Sequence, residues 1–465
     1  MADPTRENAV SRRTVLKGMA GAAGLVSIPA IIAACSSTGA STAPSGPAAT
    51  SGASAPAASP AGSIAAGALS IGSYNSDPGP KKGMEEIGAA FTTATGIATR
   101  LNTVDHNTFQ DQISNYLGAT PDTVYTWFSG FRMKFFADQG FNTAIDDVWE
   151  KVKGNYTAGF ANSVVGNDGK VYGIPVDYYP WAVFYRKSVF TEKGYTVPAT
   201  WDELIALCKK MEADGLTPIA FGDKDGWPAQ GTFDILNLRL NGYDFHVDLM
   251  AGNAKWTDAK VTAVFQKWAE FLPYHAKDYA GLTWQNAADT LVQKKSGMYL
   301  LGLFVSAQFD ATKNPADLAD LDFFPFPSLG TQFDAEKALD APIDTIQIAA
   351  KSPQLQSELD AAKAYLEFWS KGTTQLTMFA NQPGLIPTAT DADTSGYSEL
   401  QKKAVAIVSE AQKITQYFDR DTRADFAGPN GAQSLLQKFL QDPSQDLVAY
   451  QKSIQDFWDQ LPPLV

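Results

Sequence analysis

The chain has 465 residues, 45% of them hydrophobic, and a formal net charge of −13. This length exceeds one ordinary hydrophobic core, so we expect a globular protein with two lobes. The acidic charge and the lack of a basic block argue against nucleic acid as a partner, and against an anionic ligand drawn in by a long-range field.

The first residues are typical of an export signal and not of a folded core. Arg12 and Arg13 precede the apolar run Met19–Ala34, which is too short and too rich in small residues for a comfortable transmembrane helix. A pair of arginines before such a run resembles a twin-arginine (Tat) signal, although Val15 stands where an aromatic residue is often found. We therefore predict a signal peptide over residues 1–34.

Cys35 closes this signal in a sequence that resembles a lipobox, so we predict that it is diacylated and becomes the mature N-terminus. Residues 35–66 consist almost wholly of Ser, Ala, Thr, Gly and Pro, which predicts a disordered tether. A lipid anchor on this tether holds the domain at the extracytoplasmic face of the cell membrane. Cys208 is then the one remaining cysteine, which excludes an intramolecular disulfide and indicates a buried thiol.

The folded part begins with strands that alternate with helices, a pattern that predicts a mainly parallel sheet covered on both faces. The predicted strands are Ala68–Tyr74, Ile97–Val104 and Thr123–Trp127, with helices that include Asn107–Leu117 and Phe131–Gln139. Ligands bind beyond the carboxyl ends of parallel strands, so the loops that follow these strands are expected at one cleft. Those loops are Asn75–Asp77, Asp105–His106 and Trp127–Ser129.

The stretch Gly169–Phe190 contains two β-rich runs, Lys170–Val176 and Trp181–Lys187, joined by the aromatic connector Asp177–Pro180. Pro180 favours a crossing between two sheets over a place in a sheet centre. Helices dominate the later chain, and Thr200–Gly215 is the clearest, with a capping-box pattern at its start. Further strands are predicted at Pro218–Phe221, Gly297–Leu301, Leu321–Phe326 and Ile343–Ala349.

Four segments carry a resemblance to a known family: GKVYGIPVDYYPWAVFYRKSVF, TWDELIALCKKM, KKSGMYLLGLF and IDTIQIAAKSPQLQSELDAAKAYLEFW. Together they resemble family 1 extracellular solute-binding proteins of carbohydrate ABC importers, which are similar in plan to maltose-binding proteins. Phe304 stands where tryptophan is common in the family, which keeps an aromatic face and loses the indole N–H.

The resemblance implies an α/β, two-lobed type II periplasmic-binding-protein fold with three hinge crossings, at about 177–181, 326–342 and 382–388. Lobe 1 is then expected to comprise residues 67–178 and 343–382, and lobe 2 residues 179–326 and 388–465.

A sugar site needs aromatic faces for the C–H faces of the ring and polar side chains for its hydroxyl groups, because an unpaired buried hydroxyl costs about 1–3 kcal/mol. The aromatic candidates are Trp127, Tyr178, Tyr179, Trp181, Trp227 and Phe304. The polar candidates are Asn75, Asp77, Asp105, Asp223 and Asp344. The alternative for the aromatic residues is packing in the core or hinge, and for the carboxylates a solvated turn. His106 and Arg423 are interpreted as solvated residues and Trp284 as a packing residue.

The resemblance implies a non-enzymatic, monomeric receptor that binds a mono- or oligosaccharide in an interlobe cleft and delivers it to the transmembrane subunits of an ABC permease. The three histidines are scattered and no metal-ligand spacing occurs, so neither a metal nor a cofactor is predicted. Two alternatives stay open. One is a binding protein for a non-sugar small solute, and the other is a secreted glycoside hydrolase, which needs two carboxyl groups roughly 5–10 Å apart.

Overall fold

The computed structural model describes residues 68–352 and 356–463. The predicted signal peptide at 1–34, the lipidation site Cys35 and the tether at 35–66 lie outside the described residues. No described helix is both long enough and apolar enough to span a membrane.

The strands of the described part form two main sheets and one short pair. In chain order they are β1 Leu69–Ser73, β2 Thr99–Thr103, β3 Val124–Phe128, β4 Ile174–Tyr178, β5 Trp181–Arg186, β6 Thr217–Ala220, β7 Ser296–Gly302, β8 Leu321–Phe324, β9 Leu339–Asp340, β10 Ile343–Ile348, β11 Ile386–Pro387 and β12 Ile414–Thr415.

Helices cover both sheets and make up most of the chain after β6. In chain order they are α1 Pro78–Thr95, α2 His106–Gly118, α3 Gly130–Asp138, α4 Asp146–Val152, α5 Ala158–Ser163, α6 Lys187–Lys193, α7 Trp201–Ala213, α8 Pro228–Ala251, α9 Ala259–Phe271, α10 Trp284–Val292, α11 Ser306–Ala311, α12 Pro315–Asp320, α13 Gln356–Trp369, α14 Gly372–Asn381, α15 Glu399–Glu410, α16 Phe418–Asp421, α17 Ala424–Ala427, α18 Ala432–Gln441 and α19 Leu447–Asp459.

The first sheet has the strand order β11-β4-β10-β3-β1-β2 and, with the helices packed on it, forms lobe 1. Strand β1 is parallel to β2 and β3, as the alternation of strands and helices predicts. The prediction of a mainly parallel sheet is nevertheless wrong, because β10 is antiparallel to both β3 and β4, and β11 is antiparallel to β4. The chain enters β10 from the other sheet and therefore runs in the opposite direction.

The second sheet has the order β6-β7-β5-β8 and, with its helices, forms lobe 2. It is also mixed, since β6 and β7 are parallel while β5 is antiparallel to β7 and β8. Helix α7 packs on β6, and its predicted capping box is present between Thr200 and Glu203.

The chain passes between the two sheets three times. The first passage lies between Tyr178 and Trp181, so the predicted connector is shorter than expected, because Asp177 and Tyr178 belong to β4. The second lies between β8 and β10. The third follows the predicted range 382–388, because β11 still pairs with β4 and the Thr388 N–H donates to Gln375 of α14. Lobe 2 is reached only at α15, which packs against β8.

Trp127, which was predicted to face a ligand, lies instead in the core of lobe 1. Its strand β3 is central in the sheet, with β1 on one side and β10 on the other, and every side chain of the strand is buried. The indole packs at centroid distances of 6.1 Å from Phe109 and 5.9 Å from Phe136. A central strand with both faces covered leaves no side chain for a cleft, which corrects the prediction.

Tyr178 and Asp223 also point away from any cleft. Tyr178 is buried in β4 with its ring 5.2 Å from that of Phe160, on the face opposite to that of the next residue, as strand alternation requires. Asp223 is fully buried, and its Oδ1 accepts the N–H of Ala229 at 2.8 Å in the first turn of α8. Its carboxylate therefore caps a helix, and burial raises its pKa to about 7.

We expect Trp127→Ala to lower the free energy of unfolding by about 3–5 kcal/mol, because it leaves a large cavity in a close-packed core. Urea denaturation measures this loss. The exposed residue Val104 supplies the control, since Val104→Ala should stay within about 0.5 kcal/mol of the unsubstituted protein. A Trp127→Ala protein of nearly unchanged stability would contradict the core assignment.

We expect Asp223 to make stability fall as the pH rises from about 4 to about 7. The unfolded chain releases this proton near the ordinary pKa of 3.8, whereas the folded chain keeps it until about 7. The favourable contribution is thus complete below the unfolded pKa and is lost as the pH rises through the folded pKa.

Asp223→Asn keeps an oxygen for the Ala229 N–H and removes the titration. Its stability relative to the unsubstituted protein should improve by on the order of 2–4 kcal/mol between pH 4 and pH 8. Parallel curves of unfolding free energy against pH would disprove the assignment.

Candidate functional site

A cavity of about 460 Å³ lies between the two sheets, which is within the size range of small-molecule sites. On the lobe 1 side it is lined by the loops that follow β1 and β2, as expected for the carboxyl ends of parallel strands. On the lobe 2 side it is lined by the loop before α8, the start of α10 and the turn after β7.

One wall of the cavity is aromatic and comes mostly from lobe 2. Trp181 stacks on Tyr417, with ring centroids 4.8 Å apart and planes at 25°. Trp227 stands edge-on to Trp181 at 6.4 Å, and Phe304 stands edge-on to Trp284 at 5.0 Å. Trp227 and Phe304 are only half-buried, so both retain surface that is open to the cavity.

The opposite wall is centred on Arg420, whose guanidinium is buried. Its Nη1 donates to Asp344 Oδ1 at 2.7 Å, and its Nη2 donates to the Tyr179 hydroxyl at 2.6 Å. The guanidinium also lies over the Phe128 ring at 3.8 Å. Burial raises the pKa of Asp344, and the neighbouring Arg420 partly offsets this increase.

A second ion pair, between Arg132 and Asp419, lies next to Arg420. Arg132 Nη1 donates to Asp419 Oδ2 and to Gln110 Oε1, each at 3.2 Å. The Gln110 side chain in turn lies 2.7 Å from the ring nitrogen of His106. Burial and the positive charge of Arg420 lower the pKa of His106 to about 4, so its imidazole is neutral near pH 7.

Side chains of the two lobes meet across the mouth of the cavity. Gln285 of α10 donates to Asp77 Oδ1 at 3.5 Å, and Asn107 hydrogen-bonds to Asp225. Burial raises the pKa of both carboxyl groups. These two pairs bring side chains of the two lobes into contact at the cavity.

Most of the predicted site residues come together at this cavity. Its lining includes Asn75, Asp77, Asp105, Tyr179, Trp181, Trp227, Phe304 and Asp344. Asp105 also caps α2, where its Oδ1 accepts the N–H of Thr108 at 3.0 Å. Trp127, Tyr178 and Asp223 are not part of the lining.

The sequence interpretation missed residues that line the same cavity. The largest omission is the segment Tyr417–Arg420, which lies about 240 residues after Tyr179 in a polar run that reads as a solvated surface. His106 and Trp284 were assigned to solvent and to packing, yet both reach the cavity. An aromatic pair directly before an Asp-Arg dipeptide is the one local signal for this segment, and it is a weak one.

No group of three or more side chains suited to a metal ion occurs in the part of the chain that the structure describes. The donor set of the cavity instead combines neutralised ion pairs, amides and aromatic faces. Such a set can bind a polar, uncharged molecule that has apolar faces.

The model of the family described as bacterial extracellular solute-binding protein matches residues 75–371. An ABC transporter extracellular-binding protein of Pyrococcus horikoshii is 27% identical over 299 residues, which cover 63% of this chain and 64% of that protein. The match thus spans somewhat less than two thirds of this relative.

Two solved structures are similar over most of the chain. The bacterial solute receptor AcbH, described as having an exclusive substrate preference for β-D-galactopyranose, is 42% identical with a TM-score of 0.80, over 84% of this chain and 98% of that one. Maltose-bound MalE3 of T. maritima is 15% identical with a TM-score of 0.69, over 84% and 99%, and supports the fold alone.

These similarities confirm the predicted two-lobed type II periplasmic-binding fold. The family match covers well over half of the chain and agrees with the resemblance seen in the sequence. The chain belongs to the bacterial extracellular solute-binding protein family.

Proposed function

We propose that the chain binds a sugar in the interlobe cavity and delivers it to the transmembrane subunits of an ABC importer. The observation that carries this proposal is the pairing of an aromatic wall with a polar wall in one enclosed cavity. A pyranose ring presents apolar C–H faces and a rim of hydroxyl groups, and these two walls match both features.

The aromatic wall supplies the stacking surfaces. Trp227 and Phe304 are the half-buried members, so they are the residues we assign to contact with a sugar face. Trp181 lies behind them and supports Trp227 through an edge-on contact. Phe304 stands where the family commonly has a tryptophan, so the indole N–H is missing at this position. Hydrogen bonds to the sugar must therefore come from other residues.

The polar wall and the rim supply hydrogen-bond partners. Asn75, Asp77 and Asp105 follow the strands of lobe 1 and are assigned to sugar hydroxyl groups. Tyr179 and Asp344 of the polar wall are assigned to the same role, together with Arg420. Trp127, Tyr178 and Asp223 are left out of the assignment because they do not reach the cavity.

The similarity to AcbH makes D-galactose the first sugar to test. An acidic rim disfavours anionic solutes, whereas a polyamine or amino acid is a ligand that a binding experiment can separate from a sugar. An importer must also release its cargo, so we expect a Kd near 1 μM, or about −8 kcal/mol.

The proposal includes the predicted ends of the chain and the predicted lobe boundaries. A twin-arginine signal at 1–34 directs export, Cys35 carries the lipid anchor, and residues 35–66 tether a monomeric domain at the outer face of the cell membrane. The predicted boundaries of lobe 1 (67–178 and 343–382) and lobe 2 (179–326 and 388–465) are kept except at the third passage, which we place between β11 and α15. Closure of lobe 1 on lobe 2 is a rigid-body hinge motion at the three passages.

We expect Trp227→Ala to weaken binding of D-galactose about tenfold or more, because it removes a stacking face that the ligand covers on closure. Isothermal titration calorimetry on the purified chain measures the Kd, with maltose, glutamate and spermidine as the other ligands. Trp201 is the matched control, since it is a half-buried tryptophan of lobe 2 that packs on Phe271 outside the cavity. Trp201→Ala should leave the Kd within about twofold.

Binding of glutamate or spermidine with no response to any sugar would disprove the sugar assignment. Equal losses of affinity in Trp227→Ala and Trp201→Ala would instead show that the effect of Trp227 is on folding and not on stacking.

A further inference from the structure

Two carboxyl groups face each other at the polar wall of the cavity, which Asp344 lines. Asp344 begins β10 and Asp177 lies on β4, and the antiparallel ladder pairs these two residues directly. Residues that are directly opposed in such a ladder project from the same face of the sheet. Asp344 is 7% exposed and Asp177 is 5% exposed, and their carboxyl groups are within hydrogen-bonding reach of each other.

Within the described residues, Arg420 is the one arginine that bonds to this pair, and it bonds to Asp344. Arg420 Nη1 bonds to Asp344 at 2.7 Å, while its Nη2 is used by the Tyr179 hydroxyl. Arg132, the other buried arginine of this wall, is paired with Asp419. Asp177 Oδ1 has no hydrogen-bond partner among residues 68–352 and 356–463.

Among the described residues, no second cation faces Asp177. Besides Asp344 on β10, the charged and titratable groups that face it are Tyr74 after β1, Tyr179 after β4, and Arg420 on α16. A cavity of about 10 Å³ beside Asp177 is also lined by Asn75, Thr126, Trp369 of α13 and Met378 of α14, and none of these side chains carries a charge. Pro387 of β11, its other ladder partner, carries no charge.

We propose that Asp177 is a positioning residue of the ligand site: it stays protonated, its O–H donates to the Asp344 carboxylate, and this bond holds Asp344 against Arg420 in the geometry that meets the ligand. The proposal rests on the proposed function, since it takes Asp344 and Arg420 as ligand contacts.

Loss of the Asp177 proton to water places two buried carboxylates side by side with one guanidinium. Like charges at this separation repel strongly when both are buried. Asp344 then moves away or shares Arg420 with Asp177. The Asp344–Arg420 geometry that meets the ligand is thereby lost. Burial and the facing Asp344 raise the pKa of Asp177 well above its ordinary value, so this loss occurs at a higher pH than for an exposed aspartic acid. Ligand affinity is therefore constant at lower pH and falls as the pH rises.

The test compares Asp177→Asn with the unsubstituted chain, because an asparagine amide can donate an N–H to Asp344 and cannot ionise. Calorimetry with D-galactose from pH 6 to pH 9.5 should show a Kd that rises at least tenfold in the unsubstituted chain. Asp177→Asn should bind within about threefold of that chain at pH 6 and keep its Kd up to pH 9.5. Asp177→Ala, which has no donor, should bind weakly at every pH.

Asp223→Asn is the matched control, because it neutralises another buried carboxyl group outside the cavity. It should keep the alkaline loss of affinity. The same alkaline loss in Asp177→Asn, or weak binding by Asp177→Asn at pH 6, would overturn the proposal.

A measurement without ligand separates this proposal from the sugar assignment. The infrared difference spectrum of the unsubstituted chain minus Asp177→Asn at pH 6 should contain the C=O band of a protonated carboxylic acid. If D-galactose and the other sugars fail to bind at pH 6, the proposed function fails, and this band then decides the protonation of Asp177 by itself. A carboxylate band in its place would overturn the assignment of the proton.

Discussion

The site depends on the burial of one guanidinium between two lobes. A buried charge is costly unless it is paired and hydrogen-bonded, so Arg420 is stable only where its partners are already placed. Those partners are Asp344 at the start of a lobe 1 strand and Tyr179 in the first passage between the lobes. Because Arg420 lies on α16, the pairing also fixes this short helix relative to the sheet of lobe 1.

The segment that carries Arg420 is bound to both lobes. Helix α16 packs on α3 of lobe 1 and on α8 of lobe 2. The side chain of Gln416 accepts from Ser129 at 2.7 Å and from the N–H of Ile343 at 3.0 Å, both in lobe 1. On the other side, the N–H of Phe418 donates to the buried Asp234 of α8.

Tyr417 shows how tightly this segment is held. It has a positive φ of 88°, which is unfavourable for a bulky residue and persists only where surrounding contacts enforce it. Its ring stacks on Trp181, and its hydroxyl donates to the carbonyl oxygen of Trp227 and accepts the N–H of Gly231. The aromatic wall and the polar wall are thus parts of one packed unit, and a change in either wall is transmitted to the other.

The sequence predicted the parts of the site that follow from local rules. Loops after parallel strands placed Asn75, Asp77 and Asp105 at the cleft, and each of them lines the cavity. Trp227 was identified because it lies in a polar loop with no helical face to fill. The prediction failed for Trp127 because β3 continues to Phe128, one residue beyond its predicted end, so that Trp127 lies inside a buried central strand and not in the loop after it.

Long-range pairing explains the other failures. The antiparallel entry of β10 depends on a return from lobe 2, which no local pattern encodes. The same return brings Asp344 opposite Asp177, and α16 brings Arg420 to both from far along the chain. Polar residues that pair across such distances look like solvated residues in the sequence, because their partners are not near them in the chain.

The charge balance of the cavity also follows from these pairings. Arg420 neutralises Asp344, Arg132 neutralises Asp419, and His106 is uncharged near pH 7. With the proton that we assign to Asp177, the inner wall carries no net charge, although it is rich in hydrogen-bonding groups. Three further carboxyl groups, Asp77, Asp105 and Asp225, line the cavity at its rim, and the charge of Lys224 acts on Asp225. An anion would find no positive charge left over in the inner wall and would be repelled by the carboxyl groups at the rim. A cation would be attracted to the rim but would find no negative charge left over inside the cavity. An uncharged polar ligand can use the oriented dipoles of both walls without leaving a charge buried and unpaired. This balance is the physical reason why we propose a sugar and not a charged solute as the ligand.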